Sequence, residues 1–136
     1  MKIKTLFIIS GILTLLMFIP AWLAVAVSSV QNFFIVDAFG ESILQNNGAL
    51  EVFDTFLLVL GCLGAGIVIA IFGATTITDL DALKKLALLF GLLLFFVALP
   101  DYVALMCGGA HPPVPIMLLN IIAYLLMFYG WKRGVA

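Results

Sequence analysis

Four apolar runs, Thr5–Val27, Val52–Thr75, Leu83–Met106 and Val114–Trp131, leave this chain one class of fold. Crossing a hydrocarbon core of about 30 Å takes about 20 mostly apolar residues in a helix, and each run is of that order. The stretches between them suit neither lipid nor a continuing helix. They are Gln31 to Glu51 with Asn46-Asn47-Gly48, polar Thr76 to Asp81, and Gly108-Gly109-Ala110-His111-Pro112-Pro113. A span must satisfy its own backbone amides and carbonyls, so the fold class is all-α. The expected architecture is an integral membrane four-helix transmembrane bundle forming a single domain over residues 1–136.

Composition excludes the alternatives. The chain is 65% hydrophobic and 10% charged. A soluble domain of this length leaves roughly a third of its unfolded surface wet, and could not hide so much apolar area. Two cysteines, and six Lys plus Arg against seven Asp plus Glu, also remove a disulfide scaffold and nucleic-acid binding. The partner that remains is the lipid bilayer.

All six basic residues, Lys2, Lys4, Lys84, Lys85, Lys132 and Arg133, fall on one side of a four-span chain. The positive-inside rule then puts both termini and the second loop in the cytoplasm, as in a multi-pass protein of the cell inner (cytoplasmic) membrane. Such a bias also argues against dual-topology insertion. The start of the chain resembles a cleavable signal peptide, with Lys2 and Lys4, an apolar run, and Ala24-Val25-Ala26. Its apolar run exceeds the usual signal core, and the expectation is a retained first span.

The outer loop, residues 28–51, still holds Phe33, Phe34, Ile35, Val36, Phe39, Ile43 and Leu44 between polar residues. It reads as a short amphipathic segment at the outer interface, a lid over the bundle or a docking surface. Thr78 and Asp81 imitate a capping box for the third span. Trp131, Lys132 and Arg133 read as an interfacial anchor. The second span is rich in small residues, with Gly61, Gly64, Ala65, Gly66 and Ala70 as candidates for close helix packing within the bundle or against another subunit.

Unusual side chains gather in the outer half: Trp22, Asp54, Asp101, Tyr102 and Asn120. They are the candidate ligand-binding set. Asp101 leads it, because a carboxylate within a span costs about 2.5–3.5 kcal/mol on insertion scales and normally faces protein or water. Asp54 alternatively caps its own helix. If the two carboxylates meet, they share a proton or a cation. Cys107 and His111 are weak metal-ligand candidates, short of the four strong ligands of a structural zinc site. No phosphate-binding glycine loop, Cys-x-x-Cys or HExxH motif occurs, and one histidine cannot supply bis-His haem ligation. No catalytic residue and no cofactor is implied.

Several placements resemble those of small DoxX-like four-helix bacterial membrane proteins. They are Pro20-Ala21-Trp22-Leu23 ending the first span, the glycine-rich second span after Asp54, Asp101 near the end of the third, and Gly108-Gly109 with Pro112-Pro113-Val114-Pro115 before the fourth. The resemblance covers nearly the whole chain. It implies a four-helix membrane fold and, at its broadest, quinone-linked redox association. Asp54 and Asp101 depart from it, since basic residues are common near those positions in that group. No catalytic role is therefore carried over. Three functions follow as expectations: a non-catalytic accessory subunit or small homo-oligomer assembled through the second span; a lipophilic-ligand or quinone-binding redox accessory with an outer-half pocket; and a small cation or proton-coupled transporter centred on Asp101.

Overall fold

A computed structural model describes residues 1–109 and 111–136, with the backbone alone for Ala38. Ala110, part of the third break, lies outside the described residues. Five α-helices follow one another: α1 (Ile3–Ala26), α2 (Ser28–Phe39), α3 (Asn47–Ala74), α4 (Leu80–Cys107) and α5 (Val114–Arg133). A 3-10 turn, Glu41–Gln45, joins α2 to α3. Helices α1, α3, α4 and α5 are long and apolar enough to cross a membrane, which is the make-up of a multi-pass membrane protein.

The helix starts show what apolarity alone does not mark. α3 begins at Asn47 rather than near 52, because Asn46 Oδ1 accepts the Ala49 amide at 3.1 Å. α4 begins at Leu80 rather than near 83, where Asp79 Oδ1 accepts the Asp81 amide at 2.9 Å. The cap is thus Asp79 itself, and the expected Thr78 capping box does not form. Either cap satisfies a free first-turn donor, and the Asp79 carboxylate also places negative charge at the positive end of the α4 dipole. α4 ends on Gly108 at φ +71°, the left-handed position that glycine adopts most easily. Pro20 within α1 and Pro100 within α4 each remove one backbone hydrogen bond.

Each long helix buries one stripe. On α3 it runs Leu57, Gly61, Gly64, Ile67, Val68, Ile71 and Ala74; on α4, Leu83, Ala87, Gly91, Leu94 and Ala98. The steps of three and four are those of one helical face. The opposite faces are as apolar as the buried ones, and only 28–33% of each span's most apolar window is buried within the chain. Helices apolar all round are those of a membrane span or of the centre of a large protein.

In space the order is α3, α1, α5, α4. α1 packs on α3 on one side and on α5 on the other, and α5 packs on α4. α3 and α4 are consecutive in the chain but touch only sparsely. One part of the buried apolar core joins Ile3, Phe7, Ile71, Leu83, Ala87 and Met127. It lies at the end where the termini meet: Ile3 N donates to Val135 O at 2.9 Å, and Gly134 N donates to Gly130 O at 3.0 Å. A Cβ on Gly134 would collide with that Gly130 oxygen. All six Lys and Arg residues lie at this end of the bundle, flanking the termini and the start of α4.

The outer loop is mostly helical, but α2 is not the amphipathic segment expected. Its apolar residues run around the helix, with Ile35 buried while Phe33 and Phe39 are exposed.

Candidate functional site

The half of the bundle away from the termini holds the five side chains singled out in the sequence; four of them are distributed over three separate contacts, and Asp101 joins none of these. The first joins α1 to α3. Trp22 Nε1 donates to Gly61 O at 2.9 Å, and the indole lies against Gly61, where a Cβ would come within 3.2 Å of the ring. One turn earlier, Phe18 covers Gly64 so closely that a Cβ there would overlap the ring. The two rings stack at 6.3 Å between centroids. Glycine on α3 thus makes room for aromatic rings from α1, and Trp22 works as an anchor between helices.

The second contact joins α4 to α5. Tyr102 Oη donates to Asn120 Oδ1 at 2.8 Å, while Asn120 Nδ2 donates to Leu94 O at 3.3 Å. Asn120 is 1% exposed. One turn along α5, Ser10 Oγ from α1 donates to Ala123 O at 3.0 Å, and Thr14 Oγ1 donates to Ser10 O at 2.8 Å. These bonds form a polar seam from α4 through α5 to α1. Ser10 and Thr14, both fully buried, escaped the sequence reading. Two hydroxyls one turn apart in an apolar run were the available signal. Among the described residues no buried side-chain N or O atom lacks a hydrogen-bond partner, so the seam's polar atoms satisfy one another.

The third contact holds the outer loop down. Gln31 Nε2 on α2 donates to Asp54 Oδ1 on α3. Asp54 lies two turns inside α3, so it is not the cap; Asn46 is. Asp101, on α4 beyond Pro100, is half-buried and has no hydrogen bond among the described residues. Asp54 and Asp101 do not form a joint carboxylate site: Asp54 is engaged by Gln31, and the two residues sit on helices that barely touch.

The weak metal candidates also stay apart from a ligand set. His111 Nδ1 lies 2.8 Å from Pro112 O, within hydrogen-bonding distance of the next residue's carbonyl. Cys107 and Cys62 are free and exposed. Among the described residues no three His, Cys, Asp or Glu side chains are grouped to hold a metal ion.

The small residues of α3 divide between two faces. Gly61 and Gly64 are buried under Trp22 and Phe18, and Ala65 is half-buried. Gly66 and Ala70 are exposed, and among the described residues nothing lies within 4 Å of a Cβ built on Gly66 or on Gly73.

The sequence reading did not anticipate a concavity formed by the loop over α3. A groove of about 640 Å³ opens between α2, the 3-10 turn and the first turns of α3, lined by Ile35, Phe39, Ile43, Leu50, Phe53 and Phe56 among others. It includes none of Trp22, Asp54, Asp101, Tyr102 and Asn120. No protein-family model matches this chain, and neither does any curated protein or solved structure.

Proposed function

We propose that the chain is a non-catalytic subunit of the cell inner membrane, assembling with itself or with another membrane protein through the outward face of α3. The observation that carries this reading is the division of α3 into two small-residue faces. Inside the bundle Gly61 and Gly64 receive rings from α1, whereas Gly66 and Gly73 face open space beside exposed Ala70. Hydrocarbon offers helices no hydrophobic drive to associate, and small residues let two backbones approach closely enough for van der Waals contact. The mutual satisfaction of Tyr102 and Asn120 supports a structural role for that pair. The charge bias supports a topology with the termini and the α3–α4 loop in the cytoplasm. A DoxX-like relationship is part of this proposal and rests on the residue pattern alone.

Cys62 supplies a native probe. It is exposed and precedes Gly66 by four residues, on the same side of α3. Oxidation of a Cys107→Ser variant in membranes should trap a covalent dimer through Cys62, and Gly66→Leu should abolish it. Native mass spectrometry from lipid nanodiscs should show the matching oligomer or a co-purifying membrane partner. A strict monomer in both measurements, with no partner, overturns the reading.

A further inference from the structure

The groove under α2 carries an inference that goes beyond assembly through α3. We propose that it binds a lipophilic cation, an aromatic or alkyl ammonium or phosphonium, at the outer membrane interface. Its volume of about 640 Å³ falls within the span of small-molecule sites, about 300–1,000 Å³. Its walls are apolar and aromatic. Phe39 of α2 and Phe53 of α3 meet edge to face at 6.2 Å and 86°, joining the two sides of the groove, while Phe56 is 56% exposed. Aromatic faces attract cations, most strongly where water is scarce.

Charge selects among the apolar molecules that fit. Between Ser28 and Asp54 the chain has four carboxylates, Asp37, Glu41, Glu51 and Asp54, and no Lys, Arg or His. Asp54 is engaged by Gln31. Neither glutamate lines the groove itself: Glu41 sits on the same 3-10 turn as the lining residue Ile43, and Glu51 lines an adjoining recess that shares Val52 and Phe56 with it; both glutamates are exposed. The six basic residues are at the other end of the molecule. An anionic amphiphile therefore meets repulsion from the carboxylates beside the groove, and a neutral chain gains nothing from them. A cation gains from both the carboxylates and the rings.

The depth suits such a ligand. α3 has 28 residues, about 42 Å at 1.5 Å per residue, against a hydrocarbon core of about 30 Å. Its first turns therefore have room to stand in the interfacial layer, where an amphiphilic cation concentrates.

Equilibrium dialysis of the full chain in phosphatidylcholine nanodiscs tests the proposal, with tetraphenylphosphonium as probe and size-matched tetraphenylborate as its anionic counterpart. The cation should bind saturably, one per chain, and more weakly as salt rises; the borate should not saturate. Glu41→Gln/Glu51→Gln should weaken cation binding roughly threefold to tenfold, as partly screened charges allow. Asp79→Asn/Asp81→Asn, at the opposite end, should leave it unchanged. Both pairs are exposed, so elution as a monodisperse species checks folding. Equal binding of the two probes overturns the proposal and marks the groove as a seat for a neutral lipid chain. An equal loss in the two double variants also overturns it, as generic surface charge. So does the absence of saturable binding. None of these results bears on dimerisation through Cys62, so the two proposals fail separately.

Discussion

α1 is held on its two sides by different chemistry. Toward α3 it presents rings to glycines: Phe18 lies on Gly64 and Trp22 on Gly61, and Phe72 of α3 returns the arrangement, coming within 2.9 Å of a Cβ placed on Gly11 of α1. Toward α5 it presents Ser10, which donates to the Ala123 carbonyl beside the Asn120–Tyr102 pair. The first side depends on shape, through dispersion between surfaces brought close. The second depends on polar groups that have no water to turn to. In a bilayer, where burying apolar surface yields little, both are known ways to hold helices together, and they fail differently. Shape fails when volume is added; a polar seam fails when one partner is deleted.

Adding volume should have the largest effect. Gly64→Leu puts a branched side chain where Phe18 lies, and should destabilise the fold by about 3 kcal/mol, the upper end for overpacking. Reversible unfolding in mixed micelles followed by circular dichroism would measure it. Phe18→Ala should recover part of the loss in the double variant, because the clash belongs to that pair. A purely additive result would show that the ring does not define the space at Gly64.

Deleting a partner should cost less. Asn120→Leu removes the acceptor for Tyr102 Oη and the donor to Leu94 O, and should cost about 1–2 kcal/mol by the same measurement. Tyr102→Phe added to it should cost almost nothing more, since the hydroxyl has already lost its partner. Ser10→Ala, which removes one donor from a carbonyl, should cost about 0.6 kcal/mol, the average for interhelical hydrogen bonds in a membrane protein. A cost above 2 kcal/mol for Ser10→Ala would make the α5 side, not the α3 side, the dominant hold on α1.

How much of this was legible in the sequence differs between the two sides for a physical reason. The four spans were, because lipid demands long apolar helices whatever they pack against. Glycine content marked α3 as a packing helix, but the division of its small residues into two faces depends on where Phe18 and Trp22 fall after α1 docks. That is set by the rotation of two helices, both apolar all round, so periodicity carries no preferred face. Asn120 and Tyr102 stood out as polar residues within spans; their pairing required the register of α4 against α5. Ser10 and Thr14 passed unnoticed, since small hydroxyls sit quietly in an apolar run by bonding to nearby carbonyls, as Thr14 does to Ser10. The groove was invisible for another reason: it is made by the fold of α2 over α3, and no single segment contains both walls.

The finest distinction between the two sides is the hydrogen bond that the shape-based side also contains. Trp22 Nε1 reaches Gly61 O, and if that bond held α1 to α3, the contrast with Ser10 would dissolve. Gly61 lies in the middle of α3, so its carbonyl also has the helix's own amide four residues on to accept from, and losing the indole leaves no orphaned acceptor. Trp22 itself is only half-buried, near the outer end of α1. Trp22→Phe keeps a ring over Gly61 and removes the donor, and should cost about 0.5 kcal/mol or less, while Trp22→Ala, which removes the ring as well, should cost several times more. Measured together, the pair separates ring from bond at one position. If phenylalanine proves as costly as alanine, the indole N–H is what joins the helices, and both sides of α1 are held by hydrogen bonds after all.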